Sequence, residues 1–152
     1  MELDQLKQIS QSALAFRDFT EDMLRQLITA GEMRTVPRGE ILCSEGDEST
    51  EMFILLSGEL AVTGAGLELS IIDAAEDQAI VGEMSLFTGL PRSATLEVRA
   101  EATVFEVTRA RLDALMKNSP DLAVVIYRNV IASLCARLRE SNEEVLRSIL
   151  SV

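Results

Sequence analysis

"VGEMSLFTGLPRSATLEV", Val81 to Val98, interrupts a series of strand-like segments with a stretch of different period. Gly82 permits a sharp turn, and "GEMSLFTGL" has room for one or two helical turns before Gly89 and Pro91 end it. Either Met84 with Phe87 or Leu86 with Leu90 can hold that turn against a core. Arg92 follows as the chain returns to β character, with Ser93 and Ala94 beside it, both too small to block an approaching group. A helix N-terminus offers unpaired N–H donors and the positive end of a macrodipole, so it favours anions. A guanidinium adds a planar fork matched to phosphate oxygens. Glu83 would repel a bare phosphate; it makes sense as the acceptor of a hydroxyl on the same ligand, as in a ribose. The stretch points to a phosphorylated sugar compact enough to meet both groups.

Outward from this stretch the chain divides by period. Leu3, Leu6, Ile9, Ala13 and Phe16 form one apolar stripe of a first short helix. A second helix starts at the N-cap Thr20, with Glu21 and Asp22 in its first turn, carries Met23, Leu24, Leu27 and Ile28 inward, and stops at Gly31. From Glu32 to Thr108 the segments "MRTV", "EILC", "MFILLS", "ELAVT", "LELSII", "ATLEVRA" and "TVFEVT" are short, apolar and β-branched. Turn residues part them every eight to twelve positions or so, which predicts seven or eight strands of an antiparallel sandwich or barrel. Ser57-Gly58 reads as a tight hairpin within it. After Thr108 a short helix with Leu112, Leu115 and Met116 inward ends before Pro120, and a long helix runs from Pro120 to about Leu150. Along it Tyr127, Ile131, Leu134, Leu138, Ser141, Val145 and Ser148 alternate by four and three, a coiled-coil-like seam. That seam either forms a dimer, which its polar break at Ser141 suits, or packs on the strands. The expected organisation is a single domain over 1–152: N-terminal helices over 1–31, strands over 32–108, C-terminal helices over 109–152.

Composition narrows the chemistry. The 152 residues carry a formal charge of −11, which disfavours direct nucleic-acid binding. The arginines of "RNVIASLCARLR" read as solvated helix flanks, and no helix-turn-helix follows. With no histidine, Ser-His-Asp and Cys-His nucleophile systems and nearly all His-based metal sites are excluded. No EF-hand-type loop appears, so no metal or cofactor is expected. Cys43 and Cys135 read as buried, reduced thiols of a cytoplasmic protein. The N-terminus lacks the marks of a secretory signal, and no apolar run approaches a membrane span.

"GEMSLFTGLPRSA" resembles the phosphate-binding cassette of the cyclic nucleotide-binding domain family, the β-roll shared by catabolite activators and protein kinase A regulatory subunits. Its pattern is Gly-Glu-aliphatic-small, a variable stretch, then Arg-small-Ala. "PRGEILCSEGD" (Pro37 to Asp47) and "MFILLSGELAV" (Met52 to Val62) resemble the glycine-marked strands of the roll, and the three stretches follow in the family's order. The resemblance implies a mainly β fold: an antiparallel β-roll (jelly roll) with N-terminal helices and a long C-terminal helix, the cassette spanning 82–94. It implies that Arg92 pairs with phosphate oxygens, that Ser93 offers hydroxyl and N–H to the same group beside the small Ala94, and that Glu83 accepts from a ribose hydroxyl. Gly82 and Ser85 add backbone contacts. The C-terminal helix resembles that of the catabolite activator branch, where a Thr-Ser pair reads the adenine across a dimer; Ser141-Asn142 stands there, a departure bearing on base preference. Arg137 is expected to reach Glu83 as a supporting partner.

The function expected is that of a stand-alone binding module for a cyclic nucleotide, cAMP before cGMP, since the chain ends where that branch continues into a winged helix. It would signal by rearrangement of the C-terminal helix to an effector protein or through a homodimer, with neither nucleic acid nor membrane as partner and without enzymatic activity. A second reading keeps the roll as a degenerate, non-binding interaction or dimerisation module. A third, a small jelly-roll enzyme, is the poorest for want of histidine.

Overall fold

The structure, a computed structural model, describes residue 4, residues 14–74 and residues 80–151. The first expected helix therefore lies outside the described residues except at Asp4, which is helical, and at its end, a single 3-10 turn over Leu14–Phe16. Phe16 is buried there and meets Phe19 edge to face, ring centroids 5.8 Å apart. Helix α1 (Glu21–Ala30) begins as expected: the Thr20 hydroxyl accepts from the Met23 N–H at 3.2 Å, and Leu24 and Leu27 are buried. Gly31 does not close the helix in the left-handed form; it is extended and already belongs to the first strand. A side chain there would lie 2.5 Å from the Phe105 ring, so close passage excludes any other residue.

Among the described residues six strands follow, all paired antiparallel: β1 (Gly31–Val36), β2 (Ile41–Cys43), β3 (Met52–Gly64), β4 (Leu67–Asp73), β5 (Ile80–Val81) and β6 (Thr95–Val107). The order across the sheet is β1-β6-β3-β4, with β2 also on β6 and β5 on β3. This is the antiparallel β-roll of the sequence reading, but with fewer strands. "MFILLS" and "ELAVT" are one continuous strand, and so are "ATLEVRA" and "TVFEVT". Ser57-Gly58 is not a hairpin. Gly58 (φ +91°) lies at a series of register shifts between β3 and β6, where two thirteen-residue strands bend together. A β-carbon on Gly58 would fall 2.3 Å from the Glu101 carbonyl oxygen. Glycine marks a bulge as readily as a turn, because both need positive φ or close backbone approach.

Phe53, Leu55, Leu60, Val98, Val104 and Phe105 from these two strands form the centre of the core. At one end β3 runs between β5 and β6, pairing Phe53 with both Val81 and Glu106. The segment between β5 and β6 is thus anchored at both its ends on β3. Outside the roll, α1 packs on α3 (Arg109–Asn118) and α3 on α4 (Pro120–Leu150), with the 3-10 turn also against α4. Asn129 of α4 secures that turn by donating to the Ala15 and Arg17 carbonyls, both at 2.9 Å. Among the described residues no helix is long and apolar enough to cross a membrane.

Candidate functional site

The cassette helix α2 spans Glu83–Thr88 between two left-handed glycines, Gly82 (φ +79°) and Gly89 (φ +72°). No side chain caps its N-terminus. Of the apolar residues offered for the core, Leu86 alone is buried; Met84 and Leu90 face outward, and Phe87 is half-buried. Six residues make less than two turns, so one face is used once.

Arg92 is not a surface arginine. It is 4% exposed, and its guanidinium is held on three sides. Nε donates to Ser49 Oγ at 3.1 Å, Nη1 to the Gly82 carbonyl at 3.0 Å, and Nη2 to the Glu51 carbonyl at 2.7 Å, with the Glu51 carboxylate 3.4 Å from Nη2. The Phe53 ring lies 6.0 Å from the guanidinium carbon. Its main chain is fixed as well, donating to Asp47 and accepting from Gly46 at 2.8 and 2.9 Å. Of five N–H groups, one on Nη1 remains uncommitted.

Glu83 is 1% exposed and only half satisfied. Oε1 accepts from Arg137 Nη1 at 3.0 Å, so α4 reaches the cassette as the sequence reading expects. Arg137 also donates to the Ile80 carbonyl. Oε2 is buried without a hydrogen-bond donor. A second tie between cassette and α4 is the Phe87–Tyr127 ring contact, centroids 5.6 Å apart.

These groups share one cleft of about 130 Å³. Gly82, Glu83, Ser85, Arg92, Ser93, Ala94 and Arg137 all line it. Ser93 is solvent-accessible, its hydroxyl 3.9 Å from the Met84 sulfur. Ser141 and Asn142 are exposed on α4 beyond Arg137, and the structure does not bring them into the cleft of this protomer. Its apolar wall is Val62, Ile72, Val81 and Leu96, with Cys43 among them. Burial pushes the Cys43 thiol above its ordinary pKa, with the nearby Arg92 charge acting in the opposite sense. Cys135 is exposed, against expectation: the side that α4 buries carries Leu122, Ile126, Asn129, Val130 and Ser133 instead. Ser49 and Glu51 are the residues the sequence reading missed. They lie in "SEGDESTE" (Ser44 to Glu51), a polar run whose spacing singles out none of its members.

An antiparallel roll carrying a helical cassette between β5 and β6, with a buried arginine and a buried glutamate in one cleft, defines a class, and comparison with known proteins assigns it. The chain belongs to the cyclic nucleotide-binding domain family, whose model matches residues 33–119. It is 28% identical over 117 residues to a cyclic nucleotide-gated potassium channel of Mesorhizobium japonicum, an alignment covering 76% of this chain and 31% of the channel. The chain thus spans about a third of the length of such curated relatives. Among solved structures, a cyclic nucleotide-binding domain from Methylobacillus flagellatus superposes with a TM-score of 0.85 at 28% identity, over 97% of this chain and 84% of that one. The regulatory domain of Toxoplasma gondii PKA, solved with cAMP, shares the fold at 24% identity and a TM-score of 0.63, over 78% and 46%.

Proposed function

We propose that this chain senses a 3′,5′-cyclic nucleotide, cAMP in preference to cGMP, by binding rather than by catalysis. One observation carries the reading: Glu83 Oε2 is buried beside Arg92's cleft and has no donor. A buried carboxylate oxygen without a partner costs several kcal/mol at most and on the order of 1–3 kcal/mol at least, and a ligand hydroxyl that donates to it recovers that cost. The phosphate meets the free Nη1 hydrogen of Arg92, the Ser93 hydroxyl and the main chain at Gly82 and Ser85, with Ala94 leaving room. Ser141 and Asn142 are the candidates for reading the base, from this copy or a second one.

Signal leaves through α4. A ligand hydroxyl on Oε2 shares the carboxylate that Arg137 holds through Oε1, and a ligand shifts the helix only by its differential affinity for the two positions. Self-association through α4 and an effector protein in the cytoplasm are the proposed recipients. The rival reading, a non-binding interaction module, draws support from Arg92 itself, since protein acceptors already engage four of its five N–H groups.

Calorimetric titration of nucleotide-stripped protein with cAMP, cGMP and 5′-AMP separates the two. Micromolar or tighter binding of a cyclic nucleotide is expected, with 5′-AMP at least tenfold weaker. Glu83→Gln should weaken it roughly 10- to 100-fold, the worth of a hydrogen bond to a charged group. Silence with all three ligands would establish the interaction module instead.

A further inference from the structure

Ser49 and Glu51 aim Arg92, but an earlier member of the same loop, Glu45, turns its side chain the other way. Its carboxylate accepts from the Ala65 N–H at 3.0 Å. Its own N–H donates to Thr95 Oγ1 at 2.9 Å, and the next residue, Gly46, donates to the Arg92 carbonyl. Glu45 therefore stands where three parts meet: the tip of the β3–β4 hairpin, the first residue of β6, and the main chain of the arginine in the cleft.

The hairpin tip has little else to hold it. Gly64 pairs with Leu67, which leaves a two-residue loop of Ala65 (φ +53°) and Gly66 (φ +78°). Two positive φ values suit the twist of a hairpin and call for Asn-Gly or Gly-Gly there. Alanine in the first place is disfavoured, because its β-carbon crowds the backbone in the left-handed region. Packing does not compensate: Leu67 and Leu69 are 67% and 56% exposed, and among the described residues β4 pairs with β3 alone. A second tie, Arg99 to Glu68 at 2.9 Å, is exposed at both ends, where an ion pair contributes little. Yet this hairpin supplies part of the cleft. Val62 and Ile72 line it, and a β-carbon on Gly64 would lie 3.9 Å from the carbonyl oxygen of Ser93, another lining residue.

We infer that Glu45 is a positioning residue of the cleft: by holding the Ala65 N–H it keeps the β3–β4 hairpin closed beside Ser93, with Val62 and Ile72 against a bound ligand. It touches no ligand and acts on how long one stays. The bond needs an acceptor oxygen and no charge, so a carboxamide can replace the carboxylate. The inference rests on the cyclic nucleotide reading for the ligand that reports it, while the clamp itself belongs to the chain alone.

Hydrogen exchange of nucleotide-stripped wild type, Glu45→Ala and Glu45→Gln, followed by stopped-flow displacement of bound cAMP, tests it. Neither substitution removes the main-chain bonds to Thr95 and Arg92. In Glu45→Ala, amides of the tip should exchange roughly three- to tenfold faster, the worth of one hydrogen bond, while α1 exchanges as in the wild type. Release of cAMP should quicken by a similar factor, with association changed less than about twofold. Glu45→Gln should restore both rates. Unchanged exchange at the tip in Glu45→Ala, faster exchange without faster release, or a Glu45→Gln protein that behaves like Glu45→Ala would each overturn the inference. A wild type that binds no nucleotide would overturn the functional reading instead, and the exchange rates would still decide whether Glu45 holds the hairpin.

Discussion

Taking a guanidinium out of water costs several kcal/mol unless its donors are met, and Arg92 meets that condition before any ligand arrives. Ser49, Glu51 and the Gly82 carbonyl aim it, so the site is organised in advance. Gly82 belongs to this arrangement twice over. Its φ of +79° disfavours any side chain, and a β-carbon would stand 2.8 Å from Arg92 Nη1 and 2.9 Å from the Glu51 carbonyl. Gly82→Ala should therefore lower stability by about 1–3 kcal/mol in urea unfolding and displace Arg92, abolishing calorimetric binding of cyclic nucleotide. Arg92 and Glu83 were legible in the sequence because a fixed spacing of glycine, acid, arginine and small residues names them. Ser49 and Glu51 were not: their role exists only once β2, the loop after it and the cassette meet in space.

At the scale of elements, helix ends were the most readable features, since Thr20 and Pro120 act through local geometry that does not depend on the rest of the fold. The strands were read less well. A glycine between two apolar runs signals positive φ, and nothing local tells whether the chain then reverses or merely bends. Gly58 bends it, with β6 so near that Ala102 Cα would lie 2.6 Å from an added β-carbon. Gly58→Val should cost at least about 2 kcal/mol and lower the midpoint of thermal unfolding, whereas a hairpin glycine at a solvent-exposed tip would tolerate change better. The seam of α4 was legible as a period, but its side was not. Only the burial of Leu122, Ile126 and Val130 shows which stripe packs against the rest of the molecule and which is left.

For the molecule as a whole, the two cysteines provide a direct reading of compactness. Cys135 should react with a maleimide at pH 7 and low micromolar protein within minutes, as an exposed thiol does, while Cys43 should remain unlabelled in the folded state. Burial raises the Cys43 pKa, so the neutral thiol is the form the fold favours. The associated stability is complete below the ordinary thiol pKa and is lost as pH rises through the raised one. Mass spectrometry after labelling at pH 7 and again above pH 9 checks both statements; equal labelling of the two thiols at pH 7 would contradict the burial of Cys43.

The arginine in the cleft is tied by side chain and main chain to a loop that lines little of the cleft itself. In a mutational screen scored by ligand affinity, changes between Ser44 and Glu51 would be indistinguishable from changes in the cassette. On the proposed function, the genetic target for loss of binding is therefore larger than the set of residues a ligand touches, and changes in the polar loop alter affinity while every contact residue stays the same.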